Sequence, residues 1–83
     1  MILSNIVKVT KPYSGTSKFE FWHNIHVNDI LTISVNLKPS GRGRSGLYSQ
    51  NITVTNETDG KKFTDGWNNT VNYLQKLEYE EIK

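Results

Sequence analysis

Cysteine and alanine are both missing from this chain of 83 residues, and proline, methionine and arginine are scarce, with two, one and two copies. Without cysteine there is no disulfide, no thiolate metal site and no thiol nucleophile. Without alanine, the strongest helix former, a helical bundle is a poor fit. Long apolar runs are absent too, so no segment reads as a membrane span. The apolar start, residues 1–6, lacks the basic stretch and long apolar core of a secretion leader. The expectation is a protein of a reducing cytoplasm with no membrane partner. Charge of either sign is modest, ten Lys and Arg against eight Asp and Glu, net +2. That balance does not by itself indicate nucleic acid.

A chain this short makes a single small domain, residues 1–83, with a limited core. Its stability must come from packing or from oligomerisation. Asn, Lys, Ile and Thr are abundant, a usage that resembles AT-rich coding sequence, as in tailed bacteriophages and low-GC bacteria. Three N-x-Thr sequons, at Asn51, Asn56 and Asn68, are a chance consequence of that usage.

The patterning is mainly that of strands. Residues 2–10 carry β-branched Ile6, Val7 and Val9 and end at Lys11-Pro12, where proline stops a ladder. Residues 30–37 alternate cleanly, Leu31, Ile33, Val35 and Leu37 against Thr32, Ser34 and Asn36. One buried and one wet face of an antiparallel sheet give that pattern. Val27-Asn28-Asp29 is a turn into it, with Asn28 suited to a left-handed conformation. Residues 47–55 are its hairpin partner, with Tyr48, Ile52 and Val54 on one face and Gln50 interrupting them. Asp59-Gly60 marks a second hairpin turn into a short strand, residues 61–64, with Phe63 inward. The period then changes: Trp67, Val71, Leu74 and Leu77 have helical spacing and predict a helix over about residues 66–78, capped by Asp65 or Thr64. The last residues, 78–83, alternate Tyr79 with acids and either fray or form a short strand. The fold class is therefore mainly β (α+β): a small antiparallel sheet, or an SH3/OB-like partial barrel, of four to five strands with one C-terminal helix.

The feature that stands out is the segment Lys38-Pro-Ser-Gly-Arg-Gly-Arg-Ser-Gly46, between the two best strands, which holds both arginines. Arg42 and Arg44 suit phosphate because a guanidinium donates two parallel hydrogen bonds. Glycines let a backbone approach a ligand closely. Lys38, Lys61 and Lys62 extend the basic set, and Trp22 and Tyr48 are candidate stacking groups for unpaired bases. Alternation in Phe19-Glu-Phe-Trp22 puts Phe19 and Phe21 on a core face, leaving Trp22 opposite.

No catalytic signature is present. There is no serine elbow, and the carboxylates Glu78, Glu80 and Glu81 gather at a chain end rather than in a cleft. Glu20, His23 and His26 form E-x-x-H-x-x-H, which would gather ligands on a helix, but the surrounding residues favour strand or turn. No enzyme, metal or cofactor is expected.

The turn Val27-Asn-Asp-Ile-Leu31 ahead of a long alternating strand resembles the Gly-Asp turn of SH3-like and OB-like small barrels, with Asn28 in place of the glycine. A curved sheet backed by a helix, as in small single-strand-binding proteins of the transcription-coactivator type, fits comparably. These resemblances bear on the fold; the basic segment on a sheet and the lack of catalytic groups lead to the expectation of a non-enzymatic binding module. One expected partner is nucleic acid, single- or double-stranded, held by the basic segment with salt-sensitive affinity. The other is a protein, as for a phage-encoded inhibitor or modulator of a host protein acting in the host cytoplasm. Sheet edges also offer a route to self-association.

Overall fold

The computed structural model describes residues 2–39 and 47–82, with side chains for residues 3–37 and 51–82. Five strands form one antiparallel sheet: β1 (Ile2–Lys11), β2 (Ile30–Pro39), β3 (Leu47–Asn56), β4 (Lys61–Asp65) and β5 (Glu78–Glu81). Two short helices intervene, α1 (Glu20–His23) and α2 (Trp67–Leu74). The strand order is β4-β3-β2-β1-β5. The first and last strands in that order do not meet, so the sheet is open and the barrel alternative is not the one adopted.

Each turn has a local cause. Asn28 takes a φ of 75° where the chain enters β2, and Gly60 a φ of 77° between β3 and β4, both in the left-handed region. Asparagine and glycine tolerate that region best. Asp59 Oδ1 accepts from the Lys61 N–H and closes the β3–β4 turn. β5 joins β1 by a bulge between Val9 and Lys11. Both Glu80 and Glu78 therefore meet lysines, Lys8 at 3.7 Å and Lys11 at 3.5 Å.

The register sorts the sheet into two unlike faces. One carries Val7, Leu31, Ile33, Val35, Ile52, Val54 and Phe63, the apolar set. The other is open and polar. Ser4, Ser34, Thr53 and Thr64 stand abreast across four strands, with hydroxyl contacts of 3.0 Å (Ser4–Ser34) and 2.9 Å (Thr53–Thr64). Asn36 donates to Asn51 in the next row, at 2.6 Å. The clean alternation of residues 30–37 is thus realised as expected.

Aromatic packing closes the apolar face on its β3–β4 side. Trp22 of α1 is fully buried, with Tyr13, Phe21, Phe63 and Tyr73 packed around it at centroid distances of 5.1–5.8 Å. Residues 19–22 therefore do not form the alternating, strand-like stretch expected. They wind into one helical turn that drives Trp22, rather than Phe19, into the core. Phe19 instead lies half-exposed against Phe63 and Tyr73. Burial of the largest ring outweighs the extended preference of an aromatic-rich tetrapeptide.

Helix α2 is shorter than its pattern, ending at Leu74 rather than near residue 78. The Gln75 and Lys76 N–H groups still bond to Val71 and Tyr73 carbonyls, after which Leu77 turns into the core and β5 begins. Asp65 does not cap the helix in the usual sense. Gly66 is the capping residue, and the Asp65 carboxylate accepts from its N–H at 2.7 Å and approaches Asn69. Ser14 ties the loop after β1 to the turn after α2, its N–H and hydroxyl both donating to the Lys76 carbonyl.

One end of the core is sealed by a polar pair. Asn56, 2% exposed, donates to Asp29 Oδ2 at 3.0 Å, and the His26 N–H donates to the same oxygen. The Asn56 side-chain oxygen, Oδ1, accepts from the Thr58 N–H. Buried polar groups are tolerated when paired in this way, and unpairing one costs about 1–3 kcal/mol.

Two substitutions test the two-faced sheet. Leu31→Ala, at a fully buried site, should destabilise the domain by about 2–5 kcal/mol. Ile6→Ala, at a half-exposed site on the open face, should cost under about 1 kcal/mol. Urea unfolding followed by circular dichroism separates the two. In the same assay Asn56→Ala, which strands the buried Asp29 carboxylate, should cost about 1–3 kcal/mol.

Candidate functional site

Helix α2 covers the apolar face only over β3 and β4. Val7, Val9 and Leu31 are buried, but towards Ile33, Val35 and Leu3 and along β5 the face stays open as a groove of about 820 Å³. Its floor is Val7, Ile33, Val35 and Ile52, and one wall is α2 with Trp67, Val71 and Leu74. The far wall is β5, which supplies Tyr79 and the acids Glu78, Glu80 and Glu81. Trp67 stands at the mouth, 47% exposed, and Leu3, 55% exposed, continues the apolar strip beside Val35. An indole half in water over an apolar floor is the arrangement of a binding surface, because large apolar groups left exposed together mark contact sites.

The electrostatics of the groove are one-sided. Of the β5 residues beside it, Tyr79 and Glu81 stand opposite Val9 and Val7 on the apolar side, while Glu78 and Glu80 stand opposite Lys11 and Lys8 on the polar side. Glu78 and Glu80 are shared with exposed Lys11 and Lys8, while Glu81 has no cationic partner among the described residues. The Glu81 carboxylate is therefore the charge that the groove offers, and it attracts a positively charged group.

The residues expected to bind are not gathered here. Trp22 is fully enclosed by other rings and offers no face to a ligand, which corrects its candidacy as a stacking group. Lys61 and Lys62 are exposed on β4, opposite Asn56 and Thr55. Lys38 lies opposite Tyr48, seven residues along β3 from Thr55, or roughly 20 Å at the usual strand rise. Lys38 and the Lys61–Lys62 pair of the expected patch thus belong to opposite ends of the sheet. Arg42 and Arg44 lie outside the described residues, as do the side chains of Lys38 and Tyr48. For Tyr48 the register alone is informative. β3 advances two residues, Asn51 to Ser49, where β2 advances one, Asn36 to Leu37. The alternation counted from Ile52 and Val54 therefore does not carry through Gln50 to Tyr48.

The β2–β3 pair also outruns its neighbours. Pairing with β1 ends at Ile2–Asn36 and pairing with β4 at Ile52–Asp65, but β2 and β3 stay paired to Pro39–Leu47. The basic segment is thus attached to the end of a two-stranded arm.

No metal-binding cluster of His, Asp and Glu occurs among the described residues. Glu20 and His23 flank a single turn and His26 lies beyond it, where its ring nitrogen approaches Asp29 at 3.9 Å. No described helix is long and apolar enough to cross a membrane.

Two groove residues escaped the sequence reading. Trp67 belongs to the helical stripe and read as core; residues 78–83 read as an end that either frays or forms a short strand, and the short strand is what forms, beside the groove. The alternation of Tyr79 with Glu78 and Glu80 was the available signal. No protein-family model matches the chain, and comparison with curated proteins and with solved structures finds no match.

The β5 glutamates should be dispensable for folding. Glu80→Gln removes an exposed ion pair and should cost at most about 1 kcal/mol, read as a small fall in thermal midpoint.

Proposed function

We propose that this chain is a non-enzymatic binding module whose partner is a protein, and that the partner lays a segment combining apolar and basic side chains into the groove between α2 and β5. The observation that carries the reading is half-exposed Trp67 over an apolar floor, with Glu81 on the facing strand. Apolar partner side chains would cover Ile33, Val35 and Ile52, and Lys or Arg would meet Glu81 and its neighbours. This favours the protein partner of the two expected from sequence, because phosphates would be repelled at this surface.

A second reading is kept for one reason. The extended β2–β3 pair carries a segment with Arg42 and Arg44 at its end, and such an arm suits a nucleic-acid backbone.

Three labelled probes separate the readings: a peptide alternating Leu with Lys, one alternating Leu with Glu, and a single-stranded oligonucleotide. Anisotropy should report binding of the Leu-Lys peptide, with a blue shift of Trp67 emission, and little binding of the Leu-Glu peptide. Trp67→Ala should weaken the Leu-Lys peptide by about 30-fold, the effect of losing a central aromatic anchor of about 2 kcal/mol. If the oligonucleotide binds instead, and Arg42→Ala with Arg44→Ala abolishes it, the second reading holds and the groove reading fails.

A further inference from the structure

The chain has two Asp-Gly steps, Asp59-Gly60 in the β3–β4 turn and Asp65-Gly66 where β4 gives way to α2. An aspartate followed by glycine can close a ring on the next nitrogen, because glycine leaves that nitrogen unhindered and its backbone free to turn. The structure sets the two steps up differently. At Asp59 the carboxylate is turned to the Lys61 N–H at 2.9 Å, and the Gly60 N–H is held by the Asn56 carbonyl at 2.7 Å. The two groups that would have to meet are each engaged elsewhere. At Asp65 they are engaged with each other. The Gly66 nitrogen lies 2.7 Å from Asp65 Oδ1, which brings the carboxyl carbon, one bond beyond that oxygen, close to the nitrogen that would attack it. The side-chain amide of Asn69 approaches both carboxylate oxygens at 3.4 Å and steadies the group from α2. A Cβ added at Gly66 would meet nothing within 4 Å, so the space around the nitrogen is open.

We infer that Asp65 is a site of spontaneous isoaspartate formation, ahead of Asp59. In the first step the Gly66 nitrogen bonds to Asp65 Cγ and gives up its proton, and the Cγ–OH bond breaks. One water leaves, and a succinimide ring joins the two residues. In the second step water adds to one of the two ring carbonyls. Opening at Cγ restores aspartate. Opening at the α-carbonyl leaves Gly66 attached through Cγ, an isoaspartate with a free α-carboxylate. The water lost is regained, so mass is unchanged and no oxidant, reductant or other co-reactant is needed. The carboxyl reacts as the neutral acid, whose share mild acid raises. Two steps of the same sequence are thus separated by whether the reacting groups are held in contact.

The product bears on the join between sheet and helix. Asp65 is the last residue of β4, paired with Ile52, and α2 starts from Gly66 with Trp67 as its first residue. An isoaspartate puts one more carbon into the backbone between them.

Incubation of the full chain in mildly acidic buffer, followed by digestion and peptide mapping, tests this. Isomeric peptides of equal mass separate by chromatography, and electron-transfer fragmentation locates the isoaspartate. It should accumulate at Asp65 about 10-fold over Asp59, the order of advantage that contact between the reacting groups provides. The same incubation in denaturant should erase the preference, because both steps then lie in flexible chain. Gly66→Ala, accommodated by the open space and a φ of −63°, should keep the wild-type circular dichroism and lose the Asp65 product, with conversion at Asp59 unchanged. Conversion at Asp59 that equals or exceeds Asp65 in the folded chain overturns the inference. So does an equal preference for Asp65 in denaturant, or a folded chain with no product at Asp65 when the denatured chain has converted.

Discussion

Trp22 is the residue on which the arrangement depends. It is the largest fully buried side chain, and its ring meets groups from four parts of the chain: Tyr13 of the loop after β1, Phe21 beside it on α1, Phe63 of β4 and Tyr73 of α2. In a domain without disulfides, that cluster is what binds both helices to the sheet. Each aromatic pair contributes about 0.5–1.5 kcal/mol beyond simple burial. The indole N–H has no acceptor among the described residues, an unusual state for a buried donor. The position is held for ring volume and contact rather than for a polar link.

The asymmetry of the molecule follows from where that cluster lies. Tyr73 and Phe63 draw α2 over β3 and β4, and the eight residues of the helix reach no further. The apolar residues of β2 and β1 are left without a cover of equal width. Leu77 and β5 return along β1 and bring Tyr79 and Glu81 to the remaining wall. The groove, its half-exposed Trp67 and its negative rim are thus what remains when a small core is closed from one side.

Much of the sheet was legible in the sequence. The strict alternation of residues 30–37, Asn28 at its turn and Asp59-Gly60 at the next each specify structure within a few residues, where local chemistry is decisive. The short helix at residues 19–23 was not, because alternation and one helical turn place the same four residues differently and only the tertiary fit of Trp22 decides between them. The β3 bulge at Gln50 was visible as an interruption, but its consequence, a lost period between Ile52 and Tyr48, depends on pairing with β2. The groove was illegible for a similar reason. Trp67 has core spacing on α2, and it is the width of the sheet relative to the helix that leaves it half in water.

The central claim is that one tryptophan closes the core while the other stands at an open site. Acrylamide quenching of the wild type against Trp67→Phe tests it directly. The variant should retain only blue-shifted emission that acrylamide barely quenches, and the wild type should show an additional, readily quenched component. Emission from the Trp67→Phe variant quenched like a free indole would contradict the account, since Trp22 would then not be enclosed by the rings that organise the fold.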